Sequence, residues 1–136
     1  MEPEFPIDFI VYGTPPSLQR KGVKGKTEWK QAVKDACAPL LPEMHFATAR
    51  PLGVTLYYFP DGEMEGDIDN IVKLTLDALC MYLFQDDHQI ERVVVQKFEA
   101  DRVFTFSSPS ATLVDCALGD KPALYIRISD NLDEGL

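Results

Sequence analysis

The sequence predicts a single α+β domain in two layers: a mixed β-sheet of about four to five strands covered by two main helices. Three observations carry that prediction. Short β-rich segments bounded by turn residues recur along the chain. Two longer segments keep the helical period. The two kinds are mixed rather than strictly alternating. The 136 residues show no repeat, linker or shift of composition, so 1–136 reads as one domain.

The elements follow in order. Phe5–Tyr12 (FPIDFIVY) is β-rich and reads as a strand, and Gly13–Ser17 (GTPPS) punctuates it, since proline fixes φ and removes a donor. Residues 18–26 are basic and contain glycine, which predicts a loop. Thr27 suits an N-cap, and Glu28–Leu41 reads as a helix stopped by Pro42. Gly53–Phe59 (GVTLYYF) is a second strand, ended by the turn Pro60-Asp61-Gly62. Asp67–Leu83 is the strongest helical pattern, and Ile90–Phe98 is a third strand. Residues 101–121 read as a long loop with a short strand at Val103–Phe106. Leu124–Ser129 alternates as a last strand, and residues 130–136 read as a loose tail.

Apolar residues make up 46% and charged residues 26%, a globular balance that excludes disorder. No apolar run approaches the roughly 20 residues of a membrane span. MEPEF lacks the basic and apolar regions of a secretory leader, so none is expected there. Cys37, Cys80 and Cys116 match no zinc or redox spacing, and they read as free thiols of a cytoplasmic protein. The net charge of −9 counts at first against a nucleic-acid partner. The charge is uneven, however. Arg20, Lys21, Lys24, Lys26, Lys30 and Lys34 face Glu28 alone within 11–34, so the chain has a basic arm and an acidic body. The acids concentrate at Asp61, Glu63, Glu65, Asp67 and Asp69, and again at Asp86, Asp87 and Glu91.

The 67–83 helix has two faces. Ile68, Ile71, Val72, Thr75, Leu76, Ala78, Leu79, Tyr82 and Leu83 share one broad sector, read as core. Asp69, Asn70, Lys73, Asp77 and Cys80 share the opposite one. The plain reading of Asp69–Lys73–Asp77 is an exposed ion-pair ladder, and of Asp67 a helix cap. A second reading is chemical. Mg²⁺ takes oxygen ligands, and two carboxylates at a helix start joined by a further acid would repel without a cation. A metal held there supplies phosphodiester hydrolysis with its Lewis acid and its hydroxide, and Lys73 can stabilise the developing charge.

The stretch Asp67-Ile68-Asp69-Asn70-Ile71-Val72-Lys73, then Asp77-Ala78-Leu79, then Asp86-Asp87-His88-Gln89-Ile90 resembles the signature of the RusA family of Holliday-junction resolvases. The pattern is D-x-D-N-x-x-K joined to D-D-x-Q-[IV], and Pro15-Pro16-Ser17 after the first strand also resembles the family's opening. The resemblance implies a homodimeric endodeoxyribonuclease that needs Mg²⁺, with Mn²⁺ as a substitute, and cuts four-way DNA junctions in recombination and repair. It implies Asp67, Asp69 and Asp87 as catalytic metal ligands and Lys73 as the essential lysine, with Asn70 and Asp86 in support.

Chain reach adds a condition of its own. A helix over 67–83 is about 24 Å between its ends. Asp87 lies four residues beyond, and four extended residues return at most about 14 Å. The cluster is therefore expected to form across a two-fold dimer interface with antiparallel helices. One departure bears on DNA. Where the family commonly carries basic residues ahead of the aspartate pair, this chain has Glu63-Met64-Glu65-Gly66. Arg20, Lys21, Lys24 and Lys26 are the candidates for DNA contact in their place. The alternative readings are a nuclease for other branched or flapped DNA and a catalytically inactive dimeric DNA-binding module.

Overall fold

The computed structural model describes residues 1–16, 24–62 and 68–135. Four strands form one mixed sheet: β1 (Ile7–Tyr12), β2 (Leu52–Phe59), β3 (Ile90–Lys97) and β4 (Ala123–Ser129). Their order is β1-β4-β2-β3; β4 pairs antiparallel with β1 and β2, and β3 lies parallel to β2. That parallel pair requires a crossover, supplied by helix α2 (Ile68–Leu79). Helix α1 (Lys24–Cys37) packs beside α2 on the same face of the sheet.

Burial explains the patterns along the strands. β2 and β4 are central; β2 is buried throughout, and β4 at every position but Arg127. The clean alternation expected in β4 therefore does not mark an exposed face. The edge strand β1 alternates as a half-covered strand should. Under α1 and α2 the core holds Trp29, Val33, Cys37, Ile71, Leu74, Ala78, Leu79, Leu83 and Phe84, set against Phe9, Val54, Leu56 and Ile126.

The other face is covered as well. Helix α3 (Ala111–Leu118) seats Leu113 and Cys116 on Tyr57, Phe59, Phe98 and Tyr125, with Phe104 and Phe106 packed alongside. This corrects two expectations. The 101–121 segment is not one loop, and Val103–Phe106 is not a strand but irregular chain whose phenylalanines pack on this core. Ser110, inside the expected loop, is the N-cap of α3 and accepts from Leu113 N at 3.1 Å. Lys121 closes the far end by donating to the carbonyls of Cys116 and Ala117.

Three further expectations change. α1 begins at Lys24, so Lys24–Lys26 belong to a helix rather than to the basic loop, and Thr27 lies inside the helix. α2 ends at Leu79 rather than Leu83, because Met81 takes a left-handed conformation (φ 67°) and turns Leu83 and Phe84 back into the core. The tail is fastened rather than loose. Arg127 grips the Glu134 carboxylate through two bonds of 2.9 and 3.1 Å. Arg92 donates to the carbonyls of Leu132 and Glu134.

Candidate functional site

The acidic motif opens α2. Asp69 stands exposed in the first turn, where the helix dipole favours a carboxylate. Lys73 follows one turn later and Asp77 one turn after that. The Lys73 ammonium donates to Asp77 Oδ1 at 3.0 Å. Hydrogen bonding to Asp77, then the charge of Asp77 and more weakly of Asp87, raise the Lys73 pKa above its ordinary 10.5, so the side chain stays cationic. Asn70, the motif amide, is half-buried beside them.

Two adjacent rows of α2 and one residue of β3 line an open groove of about 550 Å³. Ile68, Val72 and Leu76 form one row, closed by Val95; Asp69, Lys73 and Asp77 form the other, joined by Asp87. The apolar sector of the helix thus splits. Ile71, Leu74, Ala78 and Leu79 are core, whereas Val72 and Leu76 are only partly buried and Ile68 is 39% exposed.

Asp87 reaches the groove because the chain reverses at Met81. It lies against Cys80, whose thiol is pushed up first by desolvation and then by the charges of Asp87, Asp86 and Asp77. The 24 Å helix assumed from the sequence is therefore too long, and Asp87 returns alongside the last turns of α2. Asp69 lies about 12 Å up the helix axis from Asp77, at the other end of the groove. Among the described residues, no group of three His, Cys, Asp or Glu side chains could hold a metal ion.

The second motif is built as a capped turn. Residues Asp87–Gln89 form one 3₁₀ turn, and the Asp86 carboxylate caps it by accepting from His88 N at 3.3 Å. That bond, followed by the His88 side chain, holds the Asp86 carboxyl below its ordinary value. Gln89 completes the capping box from within: its Oε1 accepts from the N–H of Asp86 and of Gln85. In the sequence Gln89 is only a letter of the D-D-x-Q motif; the signal that it closes a capped turn is the D-x-x-Q spacing from Asp86.

Of the other predicted residues, Lys24 and Lys26 stand on the first turn of α1, the helix that packs on α2. Asp67, Arg20 and Lys21 lie outside the described residues, as do Glu63 and Glu65. Cys37 and Cys116 are buried free thiols, pushed up by desolvation to about 12 and about 11. No helix among the described residues is long and apolar enough to cross a membrane.

A family model described as endodeoxyribonuclease RusA matches residues 23–105, more than half of the chain. The match runs from the start of α1 through both acidic motifs to the aromatic segment after β3. No curated protein matches the chain.

Proposed function

The chain belongs to the RusA endodeoxyribonuclease family, and on that premise we propose a Mg²⁺-dependent homodimer that cuts four-way DNA junctions by phosphodiester hydrolysis. Mn²⁺ is the expected substitute, and recombination and repair the setting. The observation that carries the reading is the groove along α2, which Asp69, Lys73 and Asp87 line from one end to the other beside an apolar row.

The donor chemistry suits the ion. Asp69 and Asp87 are exposed carboxylates, the hard oxygen ligands that Mg²⁺ takes. A bound metal supplies a polarised phosphoryl oxygen and a water of lowered pKa. The protein's own residues do the rest. The Lys73 ammonium, steadied by Asp77, is placed to bond a phosphate oxygen and to stabilise charge that develops on it. Ile68, Val72, Leu76 and Val95 offer an apolar surface that a second copy can cover. A two-fold axis across α2 would set the Asp69 end of one groove against the Asp87 end of the other. That dimer carries two sites, suited to symmetric incision of two strands.

The test is cleavage of a synthetic four-way junction with Mg²⁺, comparing the wild type with Asp69→Asn. Loss of more than about 100-fold is expected, beyond the range typical of a residue that only supports a ligand. Flap cleavage without junction cleavage would replace the substrate assignment. Junction binding with no cleavage would replace the enzyme by a binding module.

A further inference from the structure

The Gln89 side chain uses its whole hydrogen-bonding capacity at one place. Its Nε2 donates to the carbonyls of Thr48 at 2.9 Å and Arg50 at 2.7 Å. Its Oε1 accepts from the N–H groups of Gln85 and Asp86, each at 2.9 Å. A carboxamide has two donor hydrogens and two acceptor lone pairs, so every one is engaged. The residue is 7% exposed, which leaves water little access to compete.

Those four bonds join two stretches of chain distant in sequence. Thr48–Arg50 leads into β2, the central strand on which the domain is built. Gln85 and Asp86 lead into the turn that carries Asp87, and Ile90 opens β3 directly after it. The Asp87 carboxylate is exposed, whereas the backbone beneath it is clamped from both sides.

We propose that Gln89 is a positioning residue: it fixes the turn that sets the Asp87 carboxylate in the groove, and so sets the affinity of that site for a divalent cation. The inference rests on the reading of Asp87 as a site carboxylate.

Two substitutions separate the bonds. Gln89→Glu keeps the acceptor for Gln85 and Asp86 but turns a carboxylate oxygen towards two carbonyls. Gln89→Leu keeps most of the volume and removes every bond. Both are expected to raise the half-saturating Mg²⁺ concentration for junction cleavage by about 10–100-fold, the range typical of groups that orient metal ligands. Cleavage at saturating Mg²⁺ falls less. Hydrogen exchange without metal or DNA gives an independent readout at Asp86, because the Gln85 amide also donates to the Thr48 carbonyl at 3.2 Å: the Asp86 amide, bonded to Gln89 Oε1, should lose protection, more in Gln89→Leu, while those of β1 and β4 keep it.

A role confined to stability would lower the folded, active fraction at every Mg²⁺ concentration and leave half-saturation unchanged. That result, or wild-type protection at Asp86 in both variants, overturns the proposal. If Gln89→Leu does not fold, Gln89→Glu alone decides. Asp87→Asn is the companion control. If it cleaves like the wild type, the reading of Asp87 fails and this proposal fails with it; if it is inactive while Gln89→Glu responds to Mg²⁺ as the wild type does, only the role of Gln89 fails.

Discussion

If each site takes Asp69 from one protomer and Asp87 from its partner, two inactive variants should repair each other. Asp69→Asn and Asp87→Asn homodimers each lack a ligand at both sites. Co-expressed in equal amounts, they reassort so that about half of the dimers are mixed. In a mixed dimer both defects fall in one site and the other is intact, so about a quarter of all sites are restored. The groove geometry makes the pairing specific: Asp69 lies at one end of α2, and Asp87 lies against Cys80 at the other. A supercoiled plasmid bearing an extruded cruciform reads the outcome. The wild type, with two sites, linearises it; the mixed dimer can only nick it. Nicked circle at about a quarter of the wild-type incision rate is expected, with almost no linear product. Asp67→Asn mixed with Asp69→Asn should restore nothing, because the two positions are two residues apart in sequence and every site would draw both from the same protomer. A mixture of Asp69→Asn and Asp87→Asn as inactive as either parent would refute the shared site and place all ligands within one chain.

Ile68→Glu puts a second acid in the first turn of α2, which the helix dipole tolerates, and places a charge in the apolar row of the groove. Sedimentation velocity should then find monomer for the variant against the dimer expected of the wild type; a dimeric variant removes this groove from the interface. Lys73→Met should lower cleavage by about 10²–10³-fold, the usual cost of one charge-stabilising donor. The raised pKa of Lys73 keeps its contribution complete below 10.5 and loses it only as pH passes the raised value. The wild-type rate profile should therefore show no alkaline limb from this group up to about pH 10, and a limb near pH 9 that disappears in Lys73→Met would contradict that. Glu134→Gln should cost about 1.5–3 kcal/mol at neutral pH, the worth of hydrogen bonds to a charged group. Arg127 holds the Glu134 carboxyl below its ordinary 4.5, so this stability is present above 4.5 and lost as pH falls through the lowered value. Urea unfolding should show wild type and variant converging in acid, and a gap independent of pH would remove the ion pair from the account.

Local signals carried most of the fold. The four strands were legible because each is a β-rich run between turn residues, and each boundary lies within two residues of its expected place. What failed was decided by contacts distant in sequence. Tyr82, Leu83 and Phe84 continue the apolar pattern of α2, so no local cue marks the reversal at Met81; the core fixes it by burying Leu83 and Phe84 completely. The 107–110 segment (SSPS) looked like a loop, and its last serine starts a helix whose apolar side faces aromatic rings of β2 and β4 and of the chain after β3. Asp130 onward is polar and looked loose, yet Glu134 is held by Arg127 and Arg92 across the sheet. At the site, the acidic face of α2 was legible from helical spacing. The groove was not, because Val95 and Asp87 come from beyond the helix.

The groove also reframes the acidity of the chain. Asp69, Asp77 and Asp87 face one ammonium, Lys73, so the described lining carries two more negative charges than positive ones. A phosphodiester approaching that lining meets repulsion at short range, whatever the lysines of α1 contribute from farther away. One divalent cation offsets that excess at the point where the scissile phosphate must sit. Under the proposed function, metal and DNA therefore favour each other's binding by a shared coupling free energy, and the coupling is reciprocal. Under that function an acidic chain has a physical advantage as a nuclease: without metal the groove repels DNA, and with metal the repulsion is cancelled and the ion itself can take a phosphate oxygen as ligand. On the proposed function, the acids that first argued against a nucleic-acid partner would make DNA engagement at the groove conditional on the cation that hydrolysis needs.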